Sequence, residues 1–123
     1  EPWFRTHYPV HYYYDLLVGL DFMTALGYGG DPRLAHALDW LRSRRRRDGR
    51  WNLDAVHPDV GDAMRGWFAK HPKQTPTPFT LETPGRASKM ITLRALLVLG
   101  RAEAAAAKTA GGAPVRAGAS KRP

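Results

Sequence analysis

Two segments of this chain are apolar around almost the whole circumference of a helix, and they constrain the fold more than any other feature. The first covers residues 10–26 and reads VHYYYDLLVGLDFMTAL. The second covers residues 88–107, and its bulky aliphatic side chains are concentrated between Met90 and Leu99. A helix that is apolar all round is normally buried on more than one side. The rest of the fold must therefore surround two such helices.

Only one amphipathic helix is available to cover them. Residues 32–47 place three leucines on one stripe and charged side chains on the other. We predict Asp31 as its N-cap and Pro32 as its first residue, with Asp48 and Gly49 ending it. One such helix cannot cover two buried ones. We therefore expect the chain either to self-associate or to be the terminal part of a larger helical barrel.

The order of these segments is typical of repeated helical hairpins. The apolar stretch of each buried helix ends in a Leu-Gly pair. A connection rich in Pro and Gly spans residues 51–86. Helices that alternate between inner and outer positions are expected in helical-hairpin arrays and in α/α barrels. The prediction is an all-α fold of antiparallel helical hairpins, of the α/α-toroid type, forming a partial barrel with one long connection.

The domain boundaries follow from composition. We expect an extended lead-in over residues 1–9, a helical repeat domain over residues 10–107, and a disordered basic tail over residues 108–123. The chain begins at Glu1 without a Met, and we interpret it as a piece of a longer protein.

Composition excludes several classes of site. The chain has no Cys, which excludes disulfides, thiolate zinc sites and a cysteine nucleophile. This is compatible with a reducing compartment, and we expect a cytoplasmic protein. No apolar run reaches the roughly 18 residues of a membrane span. Phosphate-binding and nucleophile-elbow motifs are also absent, so we expect no cofactor and no self-sufficient catalysis.

Positive charge is concentrated in two places. The net charge is +8, and residues 42–50, RSRRRRDGR, hold six arginines against Asp48, while the tail is basic throughout. Such a cluster could neutralise several phosphates. However, no nucleic-acid-binding motif is present and no aromatic residues interleave with the run. Arginines in a last helical turn also complement the helix dipole.

Ligand-type side chains cluster near the start of the first helix. His7, His11 and Asp15 are spaced by four residues, which on a helix places them on one face. Pro9 opposes a helix that reaches back to His7. Metal binding, a polar and aromatic patch that lines a pocket, and plain packing remain open alternatives.

Hairpin topology would bring further polar residues to the same end. The N-termini of the first and third helices would emerge side by side, and the long connection would arrive there too. In α/α barrels this end forms the mouth of an apolar cavity. The predicted pocket residues are His11, Tyr12, Tyr14, Asp15, Asp54, His57, Glu82 and Lys89.

A short motif resembles a known family. The stretch from Arg45 to Trp51, RRRDGRW, resembles the glutamine–tryptophan repeat of squalene and terpene cyclases, in which Gln is followed by three residues, Gly, one residue and Trp. Protein prenyltransferase β subunits have a similar Asp-Gly turn. The resemblance implies that Arg45, Asp48, Gly49 and Trp51 form a structural joint between helices. Here Arg45 replaces Gln, and stacking of its guanidinium on Trp51 would contribute about 0.5–2 kcal/mol.

The resemblance implies a fold but no reaction. The Asp-rich protonation motif of the cyclases is absent, and the zinc site of the prenyltransferases needs a cysteine. The function expected is a terminal repeat module of a larger cyclase-like or prenyltransferase-like barrel, lining a cavity for an apolar or isoprenoid ligand. One alternative is a small nucleic-acid-binding protein that uses residues 42–50 and the tail. Another is an oligomerising interaction module.

Overall fold

The computed structural model describes residues 2–10, 14–56, 69–73 and 82–112. In that part of the chain, helices are combined with a small antiparallel sheet. The elements are α1 (Leu16–Ala25), α2 (Ala35–Ser43), β1 (Trp51–Asn52), β2 (Ala87–Ser88) and α3 (Lys89–Gly111). Short 3-10 helices cover Pro2–Phe4, Tyr28–Gly30 and Pro32–Leu34.

The prediction of an all-α toroid of helical hairpins is wrong, because a sheet joins the two ends of the long connection. Trp51 lies opposite Ser88, and Asn52 lies opposite Ala87. A further isolated bridge links His7 to Ala55. Strands of two residues are too short to show the alternating pattern by which a strand is recognised in a sequence. The pairing depends on contacts between residues far apart in the chain.

Helix α1 begins six residues later than the sequence suggested. Asp15 is its N-cap: the backbone is extended there, and the carboxylate accepts a hydrogen bond of 2.9 Å from the Val18 N–H. The predicted residues 11–13 lie outside the described part of the chain. After α1 the chain turns at Gly27, whose φ of 93° is strained for any residue with a side chain.

The second predicted helix is divided and ends early. Asp31 caps the 3-10 turn that precedes α2 by accepting a hydrogen bond of 2.9 Å from the Arg33 N–H. Helix α2 ends at Ser43, so the arginine run lies mostly beyond it. There the chain forms a tight turn in which the Arg46 N–H donates to the Arg50 carbonyl at 2.9 Å. Gly49 has a φ of 80° in this turn.

Helix α3 begins where the sequence indicated and continues further. Ser88 is the N-cap, and its hydroxyl accepts a hydrogen bond of 2.9 Å from the Ile91 N–H. The helix reaches Gly111, so residues 108–111 of the predicted tail are helical. The remaining tail from residue 113 onward lies outside the described residues.

The core lies between the inner faces of α1, α2 and α3. Its fully buried members are Leu17, Leu20, Leu41, Trp51, Leu53, Ile91, Ala95 and Val98. The Tyr28–Gly30 turn packs closely on α3, because a Cβ on Gly29 would lie 3.0 Å from the Ala102 Cα. On its flank, α3 is tied to α1 by an ion pair of 2.6 Å between Arg101 and Asp21. On the opposite side of α3, Leu93, Leu96 and Leu97 are exposed.

Candidate functional site

Three of the predicted pocket residues, Asp15, Asp54 and Glu82, have structural roles in the described part of the chain. His11, Tyr12 and His57 lie outside the described residues. Tyr14 is exposed, whereas Asp15 is buried. Asp54 accepts a hydrogen bond from a backbone N–H and pairs with an arginine. Glu82 accepts a hydrogen bond from the Lys89 N–H.

Asp15 fastens the N-terminal segment to the start of α1. Besides capping the helix, its carboxylate accepts a hydrogen bond of 2.8 Å from the His7 N–H. The His7 Nδ1 lies 3.5 Å from the same carboxylate. A buried carboxylate is stable when backbone N–H donors satisfy it, so these contacts explain its burial.

Asp54 binds the neighbouring peptide of the same segment. Its carboxylate accepts a hydrogen bond of 2.8 Å from the Thr6 N–H and forms an ion pair of 2.6 Å with the Arg44 guanidinium. Asp15 and Asp54 therefore accept hydrogen bonds from two consecutive backbone amides, those of His7 and Thr6. No local pattern in the sequence indicates this contact, because Thr6 and Asp54 are 48 residues apart.

Glu82 and Lys89 meet at the N-terminus of α3. The Glu82 carboxylate accepts a hydrogen bond of 2.7 Å from the Lys89 N–H and another from the Ser88 hydroxyl. A negative charge is favoured at this end of a helix. Glu82 therefore completes the cap of α3, and the Lys89 side chain is exposed. Among the described residues, no group of three His, Asp or Glu side chains is arranged to hold a metal ion.

The motif that resembles the cyclase repeat forms a compact joint. The Arg45 guanidinium carbon lies 5.5 Å from the centre of the Trp51 ring, which is the stacking expected. The ring itself is 1% exposed, and its Nε1–H donates to the Leu41 carbonyl at 2.7 Å. The Trp51 N–H donates to the Thr92 hydroxyl at 3.0 Å. Trp51 therefore connects the end of α2 to the first turn of α3.

Asp48 organises the turn within this joint. Hydrogen bonds from the Arg46 side chain, and then from the backbone and side chain of Arg50, lower the pKa of Asp48 to about 2. Other arginines are also engaged: Arg42 pairs with Asp39, and Arg44 lies 5.4 Å from the Trp40 ring centre in addition to pairing with Asp54. Much of the arginine run therefore stabilises the fold.

One side of α3 carries three exposed apolar side chains. On α3, Leu93 is 53% exposed, Leu96 48% and Leu97 44%. With Gly100 they occupy roughly 100° of the helix circumference, opposite the buried stripe. We call these four residues the outer face of α3. Phe22 of α1 and Leu26, the C-cap that follows this helix, are also exposed. The sequence predicted burial for both helices, and the described structure leaves one side of each uncovered.

Comparison with known proteins does not add an assignment: no family model, no curated protein and no solved structure matches this chain. Among the described helices, none is long and apolar enough to cross a membrane.

Proposed function

We propose that this chain is a self-associating interaction module, in which the outer face of α3 packs against the outer face of a second copy. The observation that carries the proposal is the exposure of Leu93, Leu96 and Leu97 side by side. Contiguous apolar side chains on a surface mark interaction sites more often than isolated ones do. Burying a leucine fully contributes about 1.5–3 kcal/mol, so covering three half-exposed leucines on each copy is a substantial driving force.

The charges beside this face favour a second copy as its partner. Lys89 and Glu103 are both exposed and lie on the same side of α3, about 21 Å apart along the axis. Neither makes an ion pair within the described residues. A twofold axis at Leu96, with the two α3 helices antiparallel, would place Lys89 of each copy opposite Glu103 of the other. The face is therefore complementary to itself, as a twofold interface requires.

Gly100 and the alanines that follow it support close packing of this kind. A helix with small residues on its contact face allows the partner backbone to approach, and the leucines can then fill the remaining space. No Cβ contact within 4 Å restricts Gly100 in the described structure. Contacts within the described part of one copy therefore do not explain why this position is a glycine.

The test is sedimentation of the full chain over a wide concentration range. We expect a concentration-dependent dimer, and Leu96→Gln should weaken it at least roughly tenfold. Trp3→Gln is the matched control: Trp3 is also an exposed apolar residue but lies in the 3-10 helix Pro2–Phe4. A monomer at all concentrations, or equal effects of the two substitutions, would refute the proposal.

The orientation is tested by exchanging charges. Lys89→Glu and Glu103→Lys should each weaken the dimer by roughly three- to tenfold, since each places like charges together. The double variant should restore it. If each single substitution weakens the dimer and the double variant is weaker still, the helices do not pair antiparallel about Leu96.

The Arg45–Trp51 stack favours a second candidate, a terminal module of a larger helical protein similar to the cyclases and prenyltransferases. In such a protein the outer face of α3 would pack on the adjoining module instead of a second copy. The reading frame that contains this chain would then encode further Gly-x-Trp turns. A frame without any such turn would refute this candidate and leave the self-association proposal intact.

A further inference from the structure

Three arginines line one cleft beside the small sheet. Arg46 and Arg50 come from the turn before β1, and Arg86 comes from the turn before β2. Gly85 and Ala87 complete the described lining of the cleft, whose volume is about 550 Å³. This volume is within the range of small-molecule sites. Pairing of β1 with β2 brings the two turns together, so the cluster is a product of the fold.

Two of the guanidinium groups are held in place by hydrogen bonds within the chain. Arg46 donates to Asp48 through Nε at 3.2 Å and to the Asn52 amide oxygen through Nη1 at 2.8 Å. Arg50 donates to the same carboxylate through Nη2 at 2.9 Å. Asp48 therefore orients both side chains and neutralises only one of the three positive charges. Counting Asp48 and the described residues that line the cleft, two positive charges remain there.

Arg86 is positioned by its backbone alone. Its carbonyl accepts a hydrogen bond of 3.0 Å from the Leu53 N–H, and its own N–H donates to Thr83 at 3.2 Å. Gly85 provides the positive φ of 78° that the turn needs. Within the described residues, the Arg86 guanidinium has no hydrogen bond or ion pair. An arginine that the fold places beside two others, without an acid for it, is suited to bind an anion.

We propose that this cleft binds a phosphate monoester dianion. The two uncompensated positive charges match a doubly charged phosphate group, and the planar fork of a guanidinium matches phosphate oxygens in geometry. The cleft is larger than a bare phosphate, which leaves room for the organic part of the ester. A nucleic-acid strand would instead require free cations along a line, and Arg42, Arg44 and Arg45 are held by partners within the chain. The site is separate from the outer face of α3 and does not depend on self-association.

The probes are inorganic phosphate and phenyl phosphate, titrated into the full chain at low ionic strength and followed by calorimetry. We expect Arg86→Gln to weaken binding of both probes at least roughly tenfold, since charge-assisted hydrogen bonds are lost. Arg86→Lys should recover only part of the affinity, because a lysine lacks the fork. An unchanged melting temperature of Arg86→Gln would confirm that the loss is local.

Arg47→Gln is the matched control. It removes the same charge from the same arginine run, and Arg47 is exposed and is not among the described residues that line the cleft. Its effect on phosphate binding should be less than about twofold. Equal losses in Arg47→Gln and Arg86→Gln would overturn the proposal in favour of diffuse attraction. Absence of binding would also overturn it. So would a single-stranded oligonucleotide that binds more tightly than phenyl phosphate and depends equally on both arginines.

Discussion

The two sides of α3 are both apolar, but they differ in how much of their side chains is exposed. The inner side carries Ile91, Ala95 and Val98, which are fully buried, and the outer side carries Leu93, Leu96 and Leu97, which are about half exposed. Large aliphatic side chains therefore lie on both sides of the helix, and only those of the inner side are covered. The inner side also carries Ala102, against which Gly29 of the Tyr28–Gly30 turn packs closely. The inner side is therefore covered by this chain, and the exposed outer side is the basis for proposing that it packs against a second copy.

The largest expected effect tests the inner side. Replacing Trp51 with Ala should lower the free energy of unfolding by about 3–5 kcal/mol, because it leaves a cavity under α3 and deprives the Leu41 carbonyl of its donor. Urea denaturation followed by circular dichroism measures the change. Trp51→Phe is the control, since it retains most of the packing and should cost less. An unchanged midpoint for Trp51→Ala would show that Trp51 is not the joint between α2 and α3.

Local signals in the sequence predicted the ends of several elements. Ser88 caps α3 and Asp31 caps the turn before α2, because a side chain that accepts from an N–H two or three residues away is a local property. Asp15 was predicted as a pocket residue, although its position before an apolar run is equally typical of a cap. The hydrogen bonds of Asp54 could not be predicted, since Thr6 and Arg44 meet it only through the tertiary fold.

The same limit explains the wrong fold class and the uncovered leucines. The sequence shows that α3 is apolar all round, but it does not show how many neighbours cover the helix. Likewise, the pairing of Trp51 with Ser88 depends on the closure of a long connection. Periodicity reports which side chains share a face. It does not report which faces meet.

Val98 and Leu97 are neighbours in the chain that lie on opposite sides of α3. Val98 is 0% exposed and Leu97 is 44% exposed. Val98→Ala should lower the free energy of unfolding by about 1–3 kcal/mol, whereas Leu97→Ala should lower it by about 1 kcal/mol or less at concentrations where the chain is monomeric. Sedimentation should show the reverse order for the dimer. If Leu97→Ala destabilised the monomer as much as Val98→Ala, the outer face would be part of the core.

The smallest expected effect concerns two ion pairs at the surface. Like the exposed leucines, they should contribute little to the stability of a single copy. Hydrogen bonds from Arg33 lower the pKa of Asp31 from 3.8 to about 2, and those from Arg46 and Arg50 lower the pKa of Asp48 to a similar value. A carboxylate with a pKa below its unfolded value stabilises the fold above about pH 4. That contribution is lost as the pH falls through about 2. Both pairs are solvated, so screening keeps the effect small. Between pH 5 and pH 2, the urea midpoint of the double variant Asp31→Asn/Asp48→Asn should therefore change less than that of the parent chain. Equal slopes for the two proteins would show that these ion pairs do not contribute to folding stability.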